Sequence, residues 1–353
     1  MKKTIVLTGI GGNTAQGIAR SLKTHMDEYR LVGTDSDRYN LLLGKKYVEK
    51  TYLLPPASSA SYIDKLSRIV KLEKADLLVP SPDPEVYVVS KYRDEIGTQV
   101  MLPSHKTIEI AQDKWITYNT LRPYIYQPSA VLVEDSRDVL EAFTKINPPL
   151  WIRRRRGSGG SKSLVVYTPI QAKTWIDYWD GYGEFIATRL LTGRNLSWIG
   201  LYDKGKLVLS GGYLRIRYFM NSISPTGVTG NVNLGVTIHD NDLNSLAEET
   251  VKTIDKHPHG VYTVDVKAEN RHSSSKLVVT EVNAGRLHMS AYIYTVAGLN
   301  IPYYYIKHAL GEDVIEVPPR NSVKPGYFTI RSTDNEPVTI SFREINRGIV
   351  IDY

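Results

Sequence analysis

The residues whose types and spacing could do chemistry are Asp265, Glu281 and Asn283. Val261–Val266 and Lys276–Asn283 both alternate apolar and polar side chains, and the polar stretch Glu269–Ser275 separates them, which is the pattern of a β-hairpin. Pairing that is symmetric about Ser273 sets Asp265 directly opposite Glu281. The two-residue period of a strand then puts Asn283 on the same face as Glu281. Carboxylates that face each other across a ladder repel, so such a pair normally needs a cation between them. Oxygen ligands alone, in a chain without cysteine or a histidine cluster, suit a hard ion such as Mg²⁺ bridging to phosphates rather than zinc. The competing arrangement is a surface salt bridge in which Lys267 or Arg286 takes one carboxylate.

A second segment supplies the opposite charge. The apolar run ending at Ile152 leads into Arg153-Arg154-Arg155-Arg156 and then into Gly157-Ser158-Gly159-Gly160-Ser161-Lys162-Ser163. Guanidinium forks, unblocked backbone N–H groups and hydroxyls are the parts a polyphosphate needs, although a hairpin loop with solvated arginines has the same composition. Near the start, Gly9-Ile10-Gly11-Gly12, with Asp35 closing the next strand, resembles a dinucleotide-binding turn. Gly17 falls too late for the strict spacing, and a strand-to-helix turn that needs glycine for backbone reasons fits equally. Arg215 and Arg217 fall on one face of a regular strand, where they could meet phosphate or a substrate carboxylate, or simply be solvated.

The elements that must position these groups follow from periodicity. Ile5–Thr8 reads as a strand, and Ala15, Ile18, Ala19, Leu22 and Met26 recur at helical spacing after it. Strands over Leu31–Gly33, Asp76–Pro80 and Val100–Pro103, with a helix carrying Ile63, Leu66, Ile69 and Val70, imply a parallel sheet with helices on its faces. From about Ser104 the character changes: one helix holds Ile108, Ala111, Trp115 and Tyr118, and shorter strands follow. Those strands cover Leu164–Tyr167, Glu184–Ala187 and Lys206–Leu209, with one clear helix from Asp242 to Asp255. The tail after Glu316 reads as a few short strands containing Arg331 and Asp334, with a packing role.

Composition sets the outer bounds. The 353 residues suffice for two or three packed units, and 42% hydrophobic with 23% charged residues excludes wholesale disorder and fibrous repeats. No apolar run reaches a membrane-spanning length, the run after Met1 is too short for a secretion signal, and the lack of cysteine excludes disulfides and thiolate sites. A cytoplasmic setting is therefore expected. The net charge of +7 suits nucleic acid or anionic small molecules alike. A nucleic-acid-binding protein using the arginine run is one alternative, but basic and aromatic residues do not interleave as such a surface would require.

Taken in order, the opening parallel domain, Asp113-Lys114, the strand and glycine loop at 149–163, the Glu-Phe-Ile strand before Gly193, and Asp265, Glu281-Val282-Asn283 and Arg286 resemble the ATP-grasp superfamily. The likeness is to its carbamoyl-phosphate-synthase-like, carboxylate-amine ligase branch and covers roughly residues 1–330. It implies an α/β and α+β chain: a Rossmann-like parallel-sheet (pre-ATP-grasp) domain over 1–105, then a two-lobed ATP-grasp fold. The small lobe would span 106–187 and the large lobe 188–353. By the same resemblance Lys114, Arg153 and the loop residues Gly157, Ser158, Gly159 and Gly160 bind ATP, with Leu190 and Leu191 in the segment that meets the adenine. Arg153 stands where the family usually has lysine, and Arg189 where it has an acidic residue. Asp265, Glu281 and Asn283 would be the Mg²⁺ ligands, with Arg286 and Arg215 in catalytic roles.

The implied activity is ATP- and Mg²⁺-dependent joining of a small-molecule carboxylate to an amine through an acyl phosphate. No nucleic acid or membrane partner is implied, and a homodimer is compatible. No glutaminase segment is present, so the nitrogen donor would be a free amine or ammonia. Specificity would come from the loop Ser222–Asn233 and from the neighbourhood of His288. A nicotinamide-dependent oxidoreductase built on the N-terminal glycine turn is the other alternative, and it leaves the hairpin carboxylates and the second glycine loop without a role.

Overall fold

The computed structural model describes residues 2–157, 159–228, 230–288, 291–332, 338–341 and 343. The chain opens with β1 (Lys3–Thr8), α1 (Asn13–Ser21), β2 (Tyr29–Asp35), α2 (Arg38–Gly44), β3 (Lys50–Leu53), α3 (Tyr62–Leu72), β4 (Leu77–Val79) and α4 (Asp83–Lys91). The strands form one sheet in the order β3-β2-β1-β4, with every pair parallel. Ile5, Val6, Leu7, Leu31, Val32, Leu77 and Leu78 are completely buried, as a parallel sheet covered on both faces requires.

Val100–Pro103, expected as a further strand, joins no ladder; Gln99 alone bridges to Leu77. Side chains from elsewhere take its acceptors instead. The Tyr305 hydroxyl donates to the Met101 carbonyl at 2.7 Å, and Arg93 donates to that of Pro103 at 2.5 Å. The single helix expected after Ser104 is in fact two, α5 (His105–Ala111) and α6 (Lys114–Leu121). Asp113 separates them because its carboxylate accepts from the Trp115 and Ile116 amides and so starts a new helix.

Next come β5 (Ala130–Val133), α7 (Ser136–Lys145), β6 (Leu150–Arg154), β7 (Leu164–Val166), α8 (Pro169–Tyr178) and β8 (Phe185–Arg189). They make an antiparallel sheet in the order β5-β8-β6-β7. Val131, Val133, Ala142, Ile152, Ile176 and Phe185 belong to a core of its own.

The remaining elements are β9 (Asn195–Asp203), β10 (Lys206–Tyr218), β11 (Val232–Ile238), α9 (Asn241–Ile254), β12 (Gly260–Ala268), β13 (Leu277–Ala284), α10 (Ala291–Val296), α11 (Ile301–Leu310), β14 (Tyr327–Ile330) and β15 (Val338–Ser341). The sheet order is β13-β12-β9-β10-β11-β14-β15. α9 buries Leu243, Ala247, Thr250, Val251 and Ile254, the stripe its spacing predicts. Unlike the small sheet, this large one shares its core with the N-terminal domain: Val6 and Leu66 cluster with Trp198 and Tyr262, and Ile5 and Ile18 with Ile199 and Tyr294. The two are therefore joined by continuous apolar packing, while the small sheet faces them across a cleft. Arg331 follows directly on β14, and Asp334 lies outside the described residues. Among the described residues no helix is long and apolar enough to cross a membrane.

Candidate functional site

β12 and β13 pair antiparallel with Asp265 opposite Glu281 and Thr263 opposite Asn283, the register that symmetry about Ser273 requires. The ladder slips just beyond, where Val266 faces Val279 and the Thr280 hydroxyl donates to the Asp265 carbonyl at 3.0 Å. This bulge ends the symmetric register next to the two acids.

Each carboxylate is balanced by a cation from another element. Arg215 on β10 donates from Nη2 to Asp265 Oδ1 at 2.6 Å, and the Ser197 hydroxyl adds a bond of 2.8 Å to the same oxygen. Lys114, the first residue of α6, lies with Nζ 3.2 Å from Glu281 Oε1. Burial works against the charge on Arg215, but Asp265 and the Tyr218 hydroxyl outweigh it and hold the guanidinium above its usual range. Lys267 and Arg286, the alternative partners, take neither carboxylate: Arg286 Nη2 donates to Asn283 Oδ1 at 2.7 Å, and its Nε bonds Asp83 at the start of α4.

The four arginines divide their work. Arg155 and Arg156 converge on Asp113, whose side chain is completely buried, at 2.8 and 3.1 Å. Burial tends to raise the Asp113 carboxyl, yet Arg155, the Ile116 amide and Arg156 hold it below its ordinary value. Arg154 pairs with Glu184 at 3.0 Å. Arg153 lines the cleft with Arg154 and Arg156 but, unlike them, has its Nε buried and without a hydrogen-bond partner among the described residues. Burial pushes its guanidinium down, against the pull of Glu281. An orphaned donor of this kind costs about 1–3 kcal/mol unless something in the cleft meets it.

The glycine loop after Arg156 closes toward the large sheet. Lys114 Nζ donates to the Gly157 carbonyl at 2.6 Å, tying the loop to α6. At its other end there is no room for side chains: a Cβ on Gly230 would lie 2.1 Å from the Gly159 Cα, and one on Gly160 would lie 2.9 Å from the Val228 carbonyl oxygen. Ser158 lies outside the described residues.

Two cavities meet at the hairpin acids. The first, of about 170 Å³, runs under the loop between the sheets, where Leu121, Ile186, Leu190, Leu191 and Val279 give it an apolar wall beside Lys114 and Arg153. Arg189 points to Glu269 at 3.2 Å, and Glu269 also accepts from the Tyr126 hydroxyl at 2.8 Å, so the hairpin loop supplies an acid beside this arginine. Lys267 also lines the cavity, and burial pushes its ammonium down. Strand alternation places Lys267 on the face of Asp265, but the competing salt bridge to a hairpin carboxylate does not form.

The second cavity, of about 470 Å³, extends from Asp265, Glu281 and Asn283 to the N-terminal glycine turn. Asp35 does not reach into it; its carboxylate accepts from the Gly11 and Asp37 amides, both at 3.0 Å, and is consumed in shaping the turn. Arg217 does not join Arg215. A register shift between them breaks the alternation, Arg217 bonds the Asn233 side chain, and Tyr218 takes the place beside Arg215 in both cavities. His288 lines the second cavity and is held well below its ordinary value, by burial first and then by Arg215, Arg286 and Arg331, so its ring is neutral. Sequence reasoning missed Tyr218, Asp83, Ser81 and Thr263, for which no motif offered a signal.

A parallel domain, a small antiparallel sheet and a larger one enclosing a cleft between them make up the ATP-grasp fold. N5-carboxyaminoimidazole synthetase from Staphylococcus aureus complexed with ADP superposes with a TM-score of 0.70 at 16% identity, over 94% of this chain and 83% of that one. The biotin carboxylase domain dimer of 2-oxoglutarate carboxylase from Hydrogenobacter thermophilus, in complex with MgADP, ADP and bicarbonate, gives 0.71 at 15% identity over 93% and 74%. L-amino acid ligase from Bacillus licheniformis gives 0.69 at 14% identity over 93% and 79%. No family model matches the sequence, and no curated protein does. At these identities the likeness is one of fold.

Proposed function

We propose that the protein is an ATP- and Mg²⁺-dependent ligase that activates a carboxylate as an acyl phosphate and couples it to an amine. One observation carries this reading: Asp265 and Glu281, opposed on one ladder, face the cleft that Lys114 and Arg153 also line. Asp265, Glu281 and Asn283 would hold Mg²⁺; they offer oxygen donors only, two of them anionic, and the ion would offset the charge of the ATP phosphates. The orphaned Arg153 Nε and the Lys114 ammonium would meet phosphate oxygens. Leu190 and Leu191 would flank the adenine, and Gly157, Ser158, Gly159 and Gly160 would cover the phosphates. Structures of similar fold solved with ADP and MgADP support nucleotide use.

In the reaction, a substrate carboxylate oxygen bonds the γ-phosphorus as the bond to the ADP oxygen breaks. Such a step asks the protein mainly for positioning and charge. Arg286, steadied by Asp83, is placed for the transferred phosphoryl group and Arg215 for the substrate carboxylate. The amine then attacks the acyl carbon and phosphate leaves, while the closed glycine loop keeps water out. Residues 1–105, 106–187 and 188–353 would serve as the N-terminal domain, small lobe and large lobe. The partners would be small-molecule carboxylates and amines rather than nucleic acid, in the cytoplasm, and a homodimer is in keeping with the dimeric biotin carboxylase domain. ADP release measured across a panel of carboxylates and amines, with hydroxylamine to trap acyl phosphate as hydroxamate, tests the reading. A panel that yields neither, on a protein that Mg²⁺·ATP also fails to stabilise against heat, would end it.

A further inference from the structure

Resting on the ligase reading, we infer that the second cavity holds the anionic tail of one substrate at the N-terminus of α1, so that the enzyme acts on a small molecule with a carboxylate or phosphoryl group remote from the reacting carboxylate. Four observations converge there. α1 has nine residues and begins without a side-chain cap, since its N-cap is Gly12. The N–H groups of Asn13 and Thr14 have no acceptor among the described residues, and both residues line the cavity. Helix-terminal amides left in this state form an anion site, because the donors and the helix dipole act in the same direction.

From the two other sides, Ser81 and Thr263 line the same cavity at 4% and 3% exposure, and neither buried hydroxyl has a hydrogen-bond partner among the described residues. Thr263 lies opposite Asn283 and two residues from Asp265 on β12, so the tail site adjoins the reacting site. Groups of this polarity suit oxygen acceptors. The acids that line the cavity, Asp83, Asp265 and Glu281, are paired with Arg286, Arg215 and Lys114, and His288 contributes no charge. A cavity of about 470 Å³ has the size of a small-molecule site.

One substitution isolates the amides. Gly12 has φ −83° and ψ 153°, the conformation a residue before proline prefers, and proline is well tolerated at the first helical position. Asn13→Pro therefore deletes one donor without breaking α1, and Asn13→Ala removes the side chain but keeps that donor. The full chain is loaded with Mg²⁺ and a non-hydrolysable ATP analogue, which fills the γ-phosphate position, and is titrated calorimetrically with inorganic phosphate and with succinate. We expect one saturable site for one of the two anions, and the anion that binds identifies the tail as phosphoryl or carboxylate. Its Kd should rise about tenfold or more in Asn13→Pro, as for loss of a hydrogen bond to a charged group, and less than about threefold in Asn13→Ala. Thr263→Val, which keeps the shape of the side chain, should raise the Kd by about threefold or more. Absence of binding by both anions to the analogue-loaded protein overturns the inference, as does a Kd that the proline variant changes no more than the alanine variant. Intact analogue binding then leaves the ligase reading standing, whereas failure to bind the analogue removes both.

Discussion

The two glycine-rich segments have similar composition and opposite surroundings. In the first, crowding excludes side chains: Gly9 adopts φ +62°, a Cβ there would lie 2.5 Å from Pro82, and one on Gly11 would lie 2.3 Å from the Asn40 Cβ. In the second, Gly157 adopts φ +100° with nothing among the described residues within 4 Å of where a Cβ would be, and crowding begins only at the contacts of Gly159 and Gly160 with Gly230 and Val228. The N-terminal turn is held by the core of the parallel domain and by Asp35, whereas the 157–160 loop rests on Lys114 and on the backbone at Val228 and Gly230. A turn packed that tightly presents fixed amides to a cavity. A loop anchored at a few points can open for a ligand and close over it, and in this fold Gly157 and Gly160 border the first cavity while Gly159 and Gly160 also meet the N-terminal turn across the second.

The comparison breaks most severely at the hairpin acids, because on the proposed function the loop covers phosphates that the acids below it grip. Glu281→Gln keeps shape and removes charge, and it should lower kcat for ADP release about 10³-fold. Stability without nucleotide should fall by about 1–3 kcal/mol, because the ion pair with Lys114 is largely buried and the ammonium loses its counter-charge. Parent-like turnover in this variant would detach the loop from phosphate chemistry.

Next in size is the turn itself. Gly9→Ala forces a methyl group against the Pro82 ring and should destabilise the fold by about 3 kcal/mol, read from urea midpoints. A loss under about 1 kcal/mol would mean that the loop at Pro82 yields, and that the amides of α1 are less fixed than the crowding indicates.

How much of this was readable in advance depends on the range of the interaction involved. The hairpin was legible because alternation and a polar loop are local signals, so the pairing of Asp265 with Glu281 follows from counting residues. That the first sheet is parallel was legible from the alternation of strands with helices, whereas its strand order and the strand Lys50–Leu53 were not. Arg217 was misplaced because a single register shift reverses faces, and nothing in Leu214–Tyr218 announces one. Val100–Pro103 was misread because its strand-like composition says nothing of Tyr305, which takes the Met101 carbonyl from far along the chain, or of Arg93, which takes that of Pro103 from the preceding helical turn. The glycine turn stayed ambiguous because Pro82 and Asn40, the residues that crowd it, are distant in sequence. The resemblance singled out Arg153 from its neighbours, but the physical reason, that Asp113 and Glu184 take the other three arginines, is visible only in the fold.

A pH experiment tests how firmly the N-terminal turn is embedded. Glu85, on α4 behind the turn, is raised from 4.5 to about 7 by burial, with the charge on Asp35 adding to the shift and hydrogen bonds from Thr8 and Tyr62 opposing it. An acid whose folded pKa lies above its unfolded one favours folding while protonated. The stabilisation is complete below pH 4.5 and is lost as pH rises through about 7. The parent should therefore lose up to about 3 kcal/mol between pH 5 and 8 from this group. Glu85→Gln should flatten that slope, and identical slopes in parent and variant would show that the carboxylate reaches water and that the turn's underside is open.

The smallest effect is expected at Gly157, and its contrast with Gly9 carries the information. Alanine at 157 meets no atom of the described residues, so its cost is that of holding a residue with a Cβ at φ +100°, a region that side chains disfavour by about 1 kcal/mol or a little more. An exposed loop can also relax toward a permitted φ, which lowers the cost of unfolding measured in urea to about 1 kcal/mol or less. Relaxation would, however, carry the Gly157 carbonyl away from Lys114 Nζ, now 2.6 Å distant, and so loosen the cover where it is tied to α6. The expected signature is a separation of the two readouts: a urea midpoint close to that of the parent, together with a several-fold rise in KM for ATP. Were Gly157→Ala as destabilising as Gly9→Ala, the loop would be packed as tightly as the turn, and the division between a fixed turn and a movable cover would not hold.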